Sequence, residues 1–305
     1  RNGNDRTRIY CTTRKQPIKT TTMNVLSLFD GMSCGQIALD QLGIKIDSYF
    51  ASEIDKYAMQ VTMRNYPNTK QIGSVTDVKA EDLPKIDLLI GGSPCQGFSI
   101  SGNKLNFEDE RSKLFFEFVR LLEETKPKYF MLENVGSMDS SVRDKISDIL
   151  GCTPLQINSK LITAQHRNRY YWTNIPQSNI IENDIKFKDI LENDVDNKYY
   201  YSDRVLSRLN LEDIKRAGKA GYKCKGIEVD KCAPIVARHY KGMQSQHYPV
   251  IKEVDGFRKL TPIECERLQT VPDNYTNGVS NTQRFKMLGN GWTVDVIKHI
   301  FKNLK

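Results

Sequence analysis

Short apolar runs alternate with segments of helical periodicity from Met23 onward. Each apolar run predicts a buried strand, and the helical segments between the runs carry their apolar residues on one face. Strands that alternate with helices predict an α/β fold with a doubly wound, mostly parallel sheet. Ligands bind such sheets beyond the carboxyl ends of the strands. The predicted strands are 24–29, 48–52, 86–90 and 129–132. The predicted helices are 55–65, 111–124 and, after the first strand, one that carries Ile37 to Leu42 at helical spacing and is ended by Gly43.

The regular pattern weakens near residue 176. Residues 177–257 are rich in Asn, Asp, Lys and Tyr, and they predict a smaller domain or a large insertion in which Ser202 caps a helix. Regularity returns at Thr261-Pro-Ile-Glu264, a capping box with proline at the first helical position. A last helix is predicted to begin near Trp292. We therefore expect an extension (1–22), a first domain (23–175), an inserted region (176–257) and a C-terminal part that rejoins the first domain (258–305).

Composition narrows the class of protein. Apolar residues make up 39% and charged residues 27% of the 305 residues, which is typical of a globular chain with a sizeable core. Residues 1–22 carry +5 of the formal net charge of +8. We expect them to form a disordered basic extension, and the alternative is an arm that binds nucleic acid. The charge permits nucleic-acid binding without indicating it.

The seven cysteines are scattered, and no two form a C-x-x-C pair. The sequence therefore predicts neither a disulfide framework nor a zinc site. It does predict that the protein resides in a reducing compartment. No run approaches 18 apolar residues and the N-terminus lacks the apolar region of a secretory signal, so no membrane partner is predicted. We expect the cytoplasm of a bacterial or phage-infected cell, or the nucleus of a eukaryotic one. The sequence leaves the oligomeric state open and is compatible with a monomer.

A glycine-containing turn follows the first predicted strand. Gly31 and Gly35 allow the backbone to approach a ligand closely at a helix N-terminus. Glu53 ends the next strand, where an acid can hold ribose hydroxyls, and the chain lacks the G-x-G-x-x-G expected for a pyrophosphate. The pair therefore indicates a nucleoside cofactor, although Glu53 alone would be interpreted as a solvated acid.

Cys95 lies in the loop Gly91-Gly-Ser-Pro-Cys-Gln-Gly-Phe-Ser99, at the carboxyl end of a strand. A thiolate there can act as a nucleophile. Glu133 ends the neighbouring strand, so a carboxyl group is expected beside the loop. Arg167 and Arg169 are two residues apart, and on a strand they would share one face, which suits an acid and an anion or carbonyl.

Together these motifs resemble the DNA cytosine-5 methyltransferases, over about 280 residues and in the family's order. The resemblance implies methyl transfer from S-adenosylmethionine to carbon 5 of cytosine at a specific site in duplex DNA, with the base flipped into the pocket. The matching motifs are Phe29 to Gly35, Pro94-Cys95-Gln96, Glu133-Asn134-Val135, Gln165-x-Arg167-x-Arg169, Arg258 to Gln269 and Gly289-Asn290-Gly291. Three finer features resemble the animal de novo branch of the family: Leu114 to Phe118, Arg169 to Trp172 and Trp292-Thr-Val. Compact bacterial and phage members share many of these features.

The resemblance also implies roles for single residues. Cys95 would add to the base, Glu133 would bind ring nitrogen 3, Arg169 would contact the cytosine carbonyl, and Arg167 would brace the region of Glu133 and Cys95. Region 176–257 would recognise the target, with Arg238 on a guanine and Lys241 on a phosphate, unless both are merely solvated. Ser99 and the loop to Arg111 would close over the DNA backbone. The residues expected to bind the cofactor are Phe29, Asp30, Gly31, Met32, Ser33, Cys34, Glu53, Ile54, Ser74, Val75, Pro94, Asn290, Gly291 and Trp292, and no metal is expected.

One departure concerns adenine recognition, because the family usually has Asp where Ser74 follows Gly73. A backbone amide, Ser74 or Asp77 would then bind the adenine. Two other functions stay open. An RNA methyltransferase branch carries Cys-Phe-Thr, whereas Cys232 here precedes Ala-Pro. A non-catalytic DNA-binding relative would lack the nucleophile or the acid, and both are present.

Overall fold

A computed structural model describes residues 22–93, 110–206, 230–244, 250–253 and 256–304. Within them a seven-stranded sheet has the order β3-β2-β1-β4-β5-β7-β6. The first five strands in that order are parallel, and β7 runs antiparallel to both β5 and β6. The prediction of a mostly parallel α/β sheet is confirmed. The strands are β1 (Met23–Leu28), β2 (Ile46–Ser52), β3 (Lys70–Gln71), β4 (Leu88–Gly92), β5 (Tyr129–Val135), β6 (Leu155–Asn158) and β7 (Asn168–Thr173).

Helices follow the strands, and local capping explains several of their starts. The Asp55 side chain accepts the N–H of Tyr57 and caps α2, and Thr261 and Glu264 form the predicted capping box of α6. The last helix begins two residues after the predicted start at Trp292. The helices are α1 (Cys34–Gln41), α2 (Lys56–Asn65), α3 (Glu110–Thr125), α4 (Ser140–Leu150), α5 (Asp203–Leu206), α6 (Pro262–Leu268), α7 (Asn281–Asn290) and α8 (Val294–Phe301).

Two apolar layers cover the two faces of the sheet. Alternate residues of β1 point to opposite faces, with Val25 in one layer and Leu26 in the other. The layer that contains Val25 includes side chains of α1, α7 and α8, so the C-terminal helices complete the core of the first domain. The other layer includes side chains of α3 and α4.

The described parts of region 176–257 pack onto the first domain. Phe187, Cys232 and Ile235 are buried in the same apolar layer as α1 and α8. Cys232 also forms a bridge beside Gln165, and its backbone exchanges hydrogen bonds with Ala164 and His166. A two-stranded ribbon, β8 (Val250–Glu253) and β9 (Gly256–Lys259), leads back to α6. The bounds of a recognition domain stay a prediction, and most of the helix predicted after Ser202 lies outside the described residues.

A buried ion pair joins the β8–β9 ribbon to α6. The guanidinium of Arg258 binds both oxygens of Glu264 at 2.9 and 2.8 Å, and both side chains are fully buried. The Glu264 carboxylate also accepts the N–H groups of Thr261 and Glu192. Since removing one partner of such a pair leaves an uncompensated buried charge, the joint between the ribbon and α6 is fixed. Among the described helices, none combines the length and the apolar character needed to cross a membrane.

Candidate active site

The turn after β1 is held in an unusual backbone conformation. Phe29, Gly31 and Ser33 all have positive φ angles, of 56°, 59° and 61°. The Glu53 carboxylate secures the turn, because Oε2 accepts the Gly31 N–H at 2.7 Å. Its Oε1 accepts the N–H groups of Ile54 and Asp55, each at 2.7 Å. Glu53 is therefore a fixed carboxylate at the end of β2 beside the glycine turn.

Asp30 occupies the base of this turn. Its Oδ1 accepts a hydrogen bond from the Tyr49 hydroxyl at 2.8 Å, and the Ser33 hydroxyl donates to Oδ2. Burial raises the pKa of Asp30 to about 6, and the negative charge of Glu53 acts in the same direction. Tyr49 was not predicted as a site residue, because a tyrosine in an apolar strand gives no signal beyond core packing.

Of the other residues predicted to bind the cofactor near this turn, some are buried and one is exposed. Met32 and Cys34 are buried, so their side chains belong to the core, and burial raises the pKa of the Cys34 thiol to about 12. Ile54, by contrast, is 79% exposed at the end of β2. A single exposed apolar side chain is ordinary on a protein surface, so a cofactor contact of Ile54 stays a prediction.

Ser74 and Val75 follow β3. The Ser74 hydroxyl accepts the Thr76 N–H and pairs with the Thr76 hydroxyl, so it caps a short 3-10 turn. The Val75 side chain is buried in the core, which leaves its backbone as the group that a ligand can contact. Asp77 is exposed at the end of the same turn.

Glu133 near the end of β5 is held by two side chains. Arg169 places Nε 2.8 Å from Oε1, and the Trp292 indole donates to Oε2 at 3.2 Å. The Glu133 side chain is only 12% exposed. Next to it, the Asn134 amide donates to the carbonyl and hydroxyl oxygens of Ser93, at 3.4 and 3.3 Å. The start of the loop that carries Cys95 is therefore tied to the strand that carries the acid.

Arg167 donates hydrogen bonds to backbone carbonyl groups. Its guanidinium donates to the carbonyl oxygens of Ile235, Gly289 and Gly291 at 2.9, 3.0 and 2.9 Å. Arg167 is buried, and burial lowers its pKa to about 9, with the charge of Arg169 acting in the same direction. In the described part of the chain it therefore joins two distant backbone segments, at 235 and at 289–291. The charge of Glu133 acts against the lowering of the Arg167 pKa.

Two glutamines reinforce this junction, and sequence reasoning gave neither a role of its own. Gln165 accepts the Ile235 N–H through Oε1 at 2.8 Å and donates to Oε1 of Gln269 at 3.2 Å. Gln269 in turn donates to the Leu288 carbonyl at 2.8 Å and accepts from the Thr293 hydroxyl at 2.8 Å. Both glutamines lie within quoted motifs, but only the fold shows that they meet.

A segment at 235–244 packs against α7. A Cβ on Gly289 would lie 2.2 Å from the Ala237 nitrogen, so only glycine allows the two backbones to approach this closely. His239, which was not predicted, is buried and accepts the Val236 N–H through Nδ1 at 3.0 Å. Arg238 and Lys241 are exposed on either side of it.

The remaining predicted site residues lie either at the end of α7 or outside the described residues. Asn290 is exposed at the end of α7, and Gly291 is partly buried after it. Pro94, Cys95 and Ser99 lie outside the described residues, as does the side chain of Arg111. No group of three His, Cys, Asp or Glu side chains within the described ranges has the geometry of a metal site.

Comparison with protein families gives one match over nearly the whole chain. The profile of the family described as C-5 cytosine-specific DNA methylase matches residues 23–152 and 154–305. Type II methyltransferase M1.ScrFI of Lactococcus lactis subsp. cremoris is 30% identical, with 94% of this chain and 79% of that protein aligned. Type II methyltransferase M.NlaX of Neisseria lactamica is 31% identical, with 92% and 96% aligned.

Solved structures share the fold at lower identity. The Entamoeba histolytica methyltransferase EhMeth superposes with a TM-score of 0.72 at 19% identity, covering 93% of this chain and 99% of that one. The Dnmt2 methyltransferase of S. pombe gives a TM-score of 0.71 at 17% identity, covering 92% and 97%. At these identities the likeness concerns the fold alone.

Proposed function

Because the chain belongs to the C-5 cytosine-specific DNA methylase family, we propose that it methylates carbon 5 of cytosine at a specific site in duplex DNA, with S-adenosylmethionine as the cofactor. The observation that carries the proposal is that the Glu133 carboxylate is held by Arg169 and Trp292. Arg169 holds the acid, and Asn134 ties the neighbouring Ser93, so the acid is fixed beside the start of the Cys95 loop. The curated relatives are named Type II methyltransferases, which supports a sequence-specific DNA substrate.

The turn after β1 fits S-adenosylmethionine. The fixed Glu53 carboxylate suits ribose hydroxyls, and exposed Ile54 suits one face of the adenine ring. The left-handed turn brings the backbone of Phe29, Gly31 and Ser33 to the carboxyl edge of the sheet, where a ligand of this fold binds. For adenine recognition we favour a backbone amide of the 3-10 turn or Asp77, because the Ser74 hydroxyl is engaged by Thr76.

In the proposed reaction the cytosine is flipped out of the helix, which costs a few kcal/mol of unstacking. The Cys95 thiolate adds to carbon 6, and Glu133 binds ring nitrogen 3, so that carbon 5 becomes nucleophilic. S-adenosylmethionine, when bound, supplies the methyl group that carbon 5 accepts. Loss of the carbon 5 proton and elimination of Cys95 then free the product. Arg169 contacts the carbonyl of the base while it keeps Glu133 in place.

Target recognition is proposed for the segment at 235–244 and its neighbours in region 176–257. Arg167 and Gln165 anchor Ile235, and Gly289 supports the backbone that follows. This support leaves Arg238 and Lys241 exposed on a fixed base. An arginine can bind guanine bidentately, whereas a lysine is better suited to a phosphate. Ser99 and Arg111 are proposed to contact the DNA backbone.

The test uses the nucleophile. The wild-type chain should form a covalent adduct with duplex DNA that contains 5-fluorocytosine, and Cys95→Ser should form none while still binding S-adenosylmethionine. Cys152→Ser is the matched control, because Cys152 is a half-buried thiol on the surface of the other apolar layer, and it should leave the adduct intact. Comparable methylation by Cys95→Ser would refute the mechanism. Methylation of transfer RNA but not of duplex DNA by the wild type would refute the substrate.

A further inference from the structure

Trp292 is in contact with both halves of the proposed site. Its backbone approaches the thiol of Cys34, and its ring lies against Gly35, where a Cβ would be 3.5 Å from the ring. At the other edge of the indole, Nε1 donates to Oε2 of Glu133 at 3.2 Å. One side chain therefore spans the distance between the turn after β1 and the acid on β5.

The sheet leaves room for this contact at Gly92. Gly92 is paired with Glu133 in the register of β4 and β5. A Cβ on Gly92 would lie 2.9 Å from the indole nitrogen and 3.1 Å from Oε2 of Glu133. Any larger residue would therefore crowd the hydrogen bond itself, so glycine at this position keeps the path between Trp292 and Glu133 open.

The two partners of Glu133 divide its carboxylate between them. Arg169 binds Oε1 and Trp292 binds Oε2. The last torsion of a glutamate side chain is broad, so one contact would let the carboxylate plane rotate. A second donor at the other oxygen fixes that plane, and fixed donors and acceptors contribute to catalysis because they need no rearrangement during the reaction.

We propose that Trp292 is a positioning residue, whose indole N–H fixes the plane of the Glu133 carboxylate while its ring and backbone lie against Cys34 and Gly35, the first residues of α1 directly after the turn. This assignment rests on the proposed methyl transfer, since it gives Glu133 its role, and it adds a task to the cofactor contact expected for Trp292. The indole thus ties the orientation of the acid to the conformation of the turn.

The contact can be measured without activity. The chain has two tryptophans, so indole labelling with ¹⁵N gives two N–H signals, and Trp172→Phe assigns them. Trp172 is buried in the other apolar layer and donates to the Ser147 hydroxyl at 3.0 Å, which makes it an internal control. Glu133→Gln should move the Trp292 signal and leave the Trp172 signal in place. An unmoved Trp292 signal would overturn the proposal.

Kinetics separate positioning from cofactor binding. Trp292→Phe keeps a ring and removes only the N–H donor. At saturating S-adenosylmethionine it should lower the single-turnover rate on duplex DNA by roughly tenfold or more, with cofactor affinity changed by less than about threefold. Trp172→Phe should change neither quantity. An unchanged saturated rate with weakened cofactor affinity would overturn the proposal, because Trp292 would then serve the cofactor alone.

The NMR and kinetic experiments also distinguish a failure of this inference from a failure of the proposed function. A wild-type chain that methylates no cytosine would refute the function, while the indole signals would still decide whether Trp292 holds Glu133. Gly92→Ala provides a second variant if Trp292→Phe does not fold. It should shift the Trp292 signal and slow the saturated rate, and a wild-type signal and rate in Gly92→Ala would overturn the proposal.

Discussion

At the scale of single residues, the site depends on carboxylates whose oxygen atoms are all engaged. Glu53 accepts three backbone N–H groups, and Glu133 binds one guanidinium and one indole. Such groups hold their orientation before any ligand arrives. A change that removes the carboxylate therefore affects the ligand contact and the local backbone together.

Glu53→Ala should weaken the binding of S-adenosylmethionine. A hydrogen bond to a charged group contributes about 1.5–3 kcal/mol, which corresponds to roughly tenfold or more in affinity. The turn at Gly31 also loses its partner, which adds to the loss. Isothermal titration calorimetry measures the effect, and Glu81→Ala, at an exposed acid of a 3-10 turn, is the control. Equal affinities for the two variants would remove Glu53 from the cofactor site.

His239 predicts a dependence of stability on pH. Burial lowers its pKa from 6.5 to about 4, so the folded chain keeps it neutral while the unfolded chain is protonated below pH 6.5. The free energy of unfolding should therefore fall as the pH decreases from 7 to 4, by about 3 kcal/mol from this group.

His239→Asn keeps an acceptor for the Val236 N–H and removes the titration. Urea unfolding of both proteins across this range should show the wild type losing stability relative to the variant as the pH falls. His166→Asn, at a partly exposed histidine, should show a smaller relative change. A constant difference between wild type and His239→Asn would contradict the prediction.

Residue types at the site could be predicted from the sequence, but their partners only in part. Glu133 and Arg169 lie on adjacent strands and pair at 2.8 Å. The spacing of Arg167 and Arg169 indicated only that the two arginines suit an acid and an anion or carbonyl. Arg167 was expected to brace the region of Glu133 and Cys95. It interacts electrostatically with Glu133, and its hydrogen bonds go to carbonyls at 235, 289 and 291. Those carbonyls are brought together by packing over more than 60 residues of chain, and no local pattern encodes such a meeting.

At the scale of elements, alternating periodicity predicted strands β1, β2, β4 and β5 and helices α1–α3 along the chain, but not the order of the strands in the sheet. Strand β3 has two residues, which is too short for periodicity to detect, and β7 returns antiparallel beside β5. The C-terminal helices depend on contacts that only the fold reveals. One of these contacts is the approach of α7 to the segment at 235–244, where a Cβ on Gly289 would lie 2.2 Å from backbone atoms.

Gly289→Ala should disturb that approach. The new Cβ would lie 2.2 Å from backbone atoms of Val236 and Ala237, which cannot rotate away as a side chain can. Overpacking of this kind costs about 1–3 kcal/mol of stability, and the shift should reduce methylation at the preferred DNA site. Thr282→Ala, on the exposed part of α7, is the control for both urea unfolding and sequencing of methylated sites. Wild-type values for Gly289→Ala in both assays would show that the segment at 235–244 is not supported by α7.

At the scale of the whole molecule, charge is distributed unevenly. Residues 1–22 hold +5 of the net +8, and all but Thr22 lie outside the described residues. The remaining chain is close to neutral overall. Site-specific recognition is therefore expected from placed side chains such as Arg238, whereas we expect the extension to add a salt-sensitive attraction to any DNA.

Deletion of residues 1–22 should leave methylation at the specific site nearly unchanged and should weaken non-specific binding at low salt. Binding to random duplex DNA across a salt series, with methylation assayed in parallel, measures both effects. Neutralising only Lys79 and Lys85, two exposed lysines of the first domain, is the comparison. Loss of site-specific methylation in the truncated chain would show that the extension is a DNA-binding arm.

The bond between Trp292 and Glu133 has a consequence for the order in which the protein is made. A ribosome delivers Cys34 258 residues before Trp292, and N-terminal segments can begin to fold during synthesis. The nascent chain can therefore carry the turn after β1, the cysteine loop and the acid while the second partner of the acid is still untranslated. A prematurely terminated product would therefore contain Cys95, the proposed nucleophile, and Glu133, but would lack the indole N–H that we propose fixes the plane of the acid.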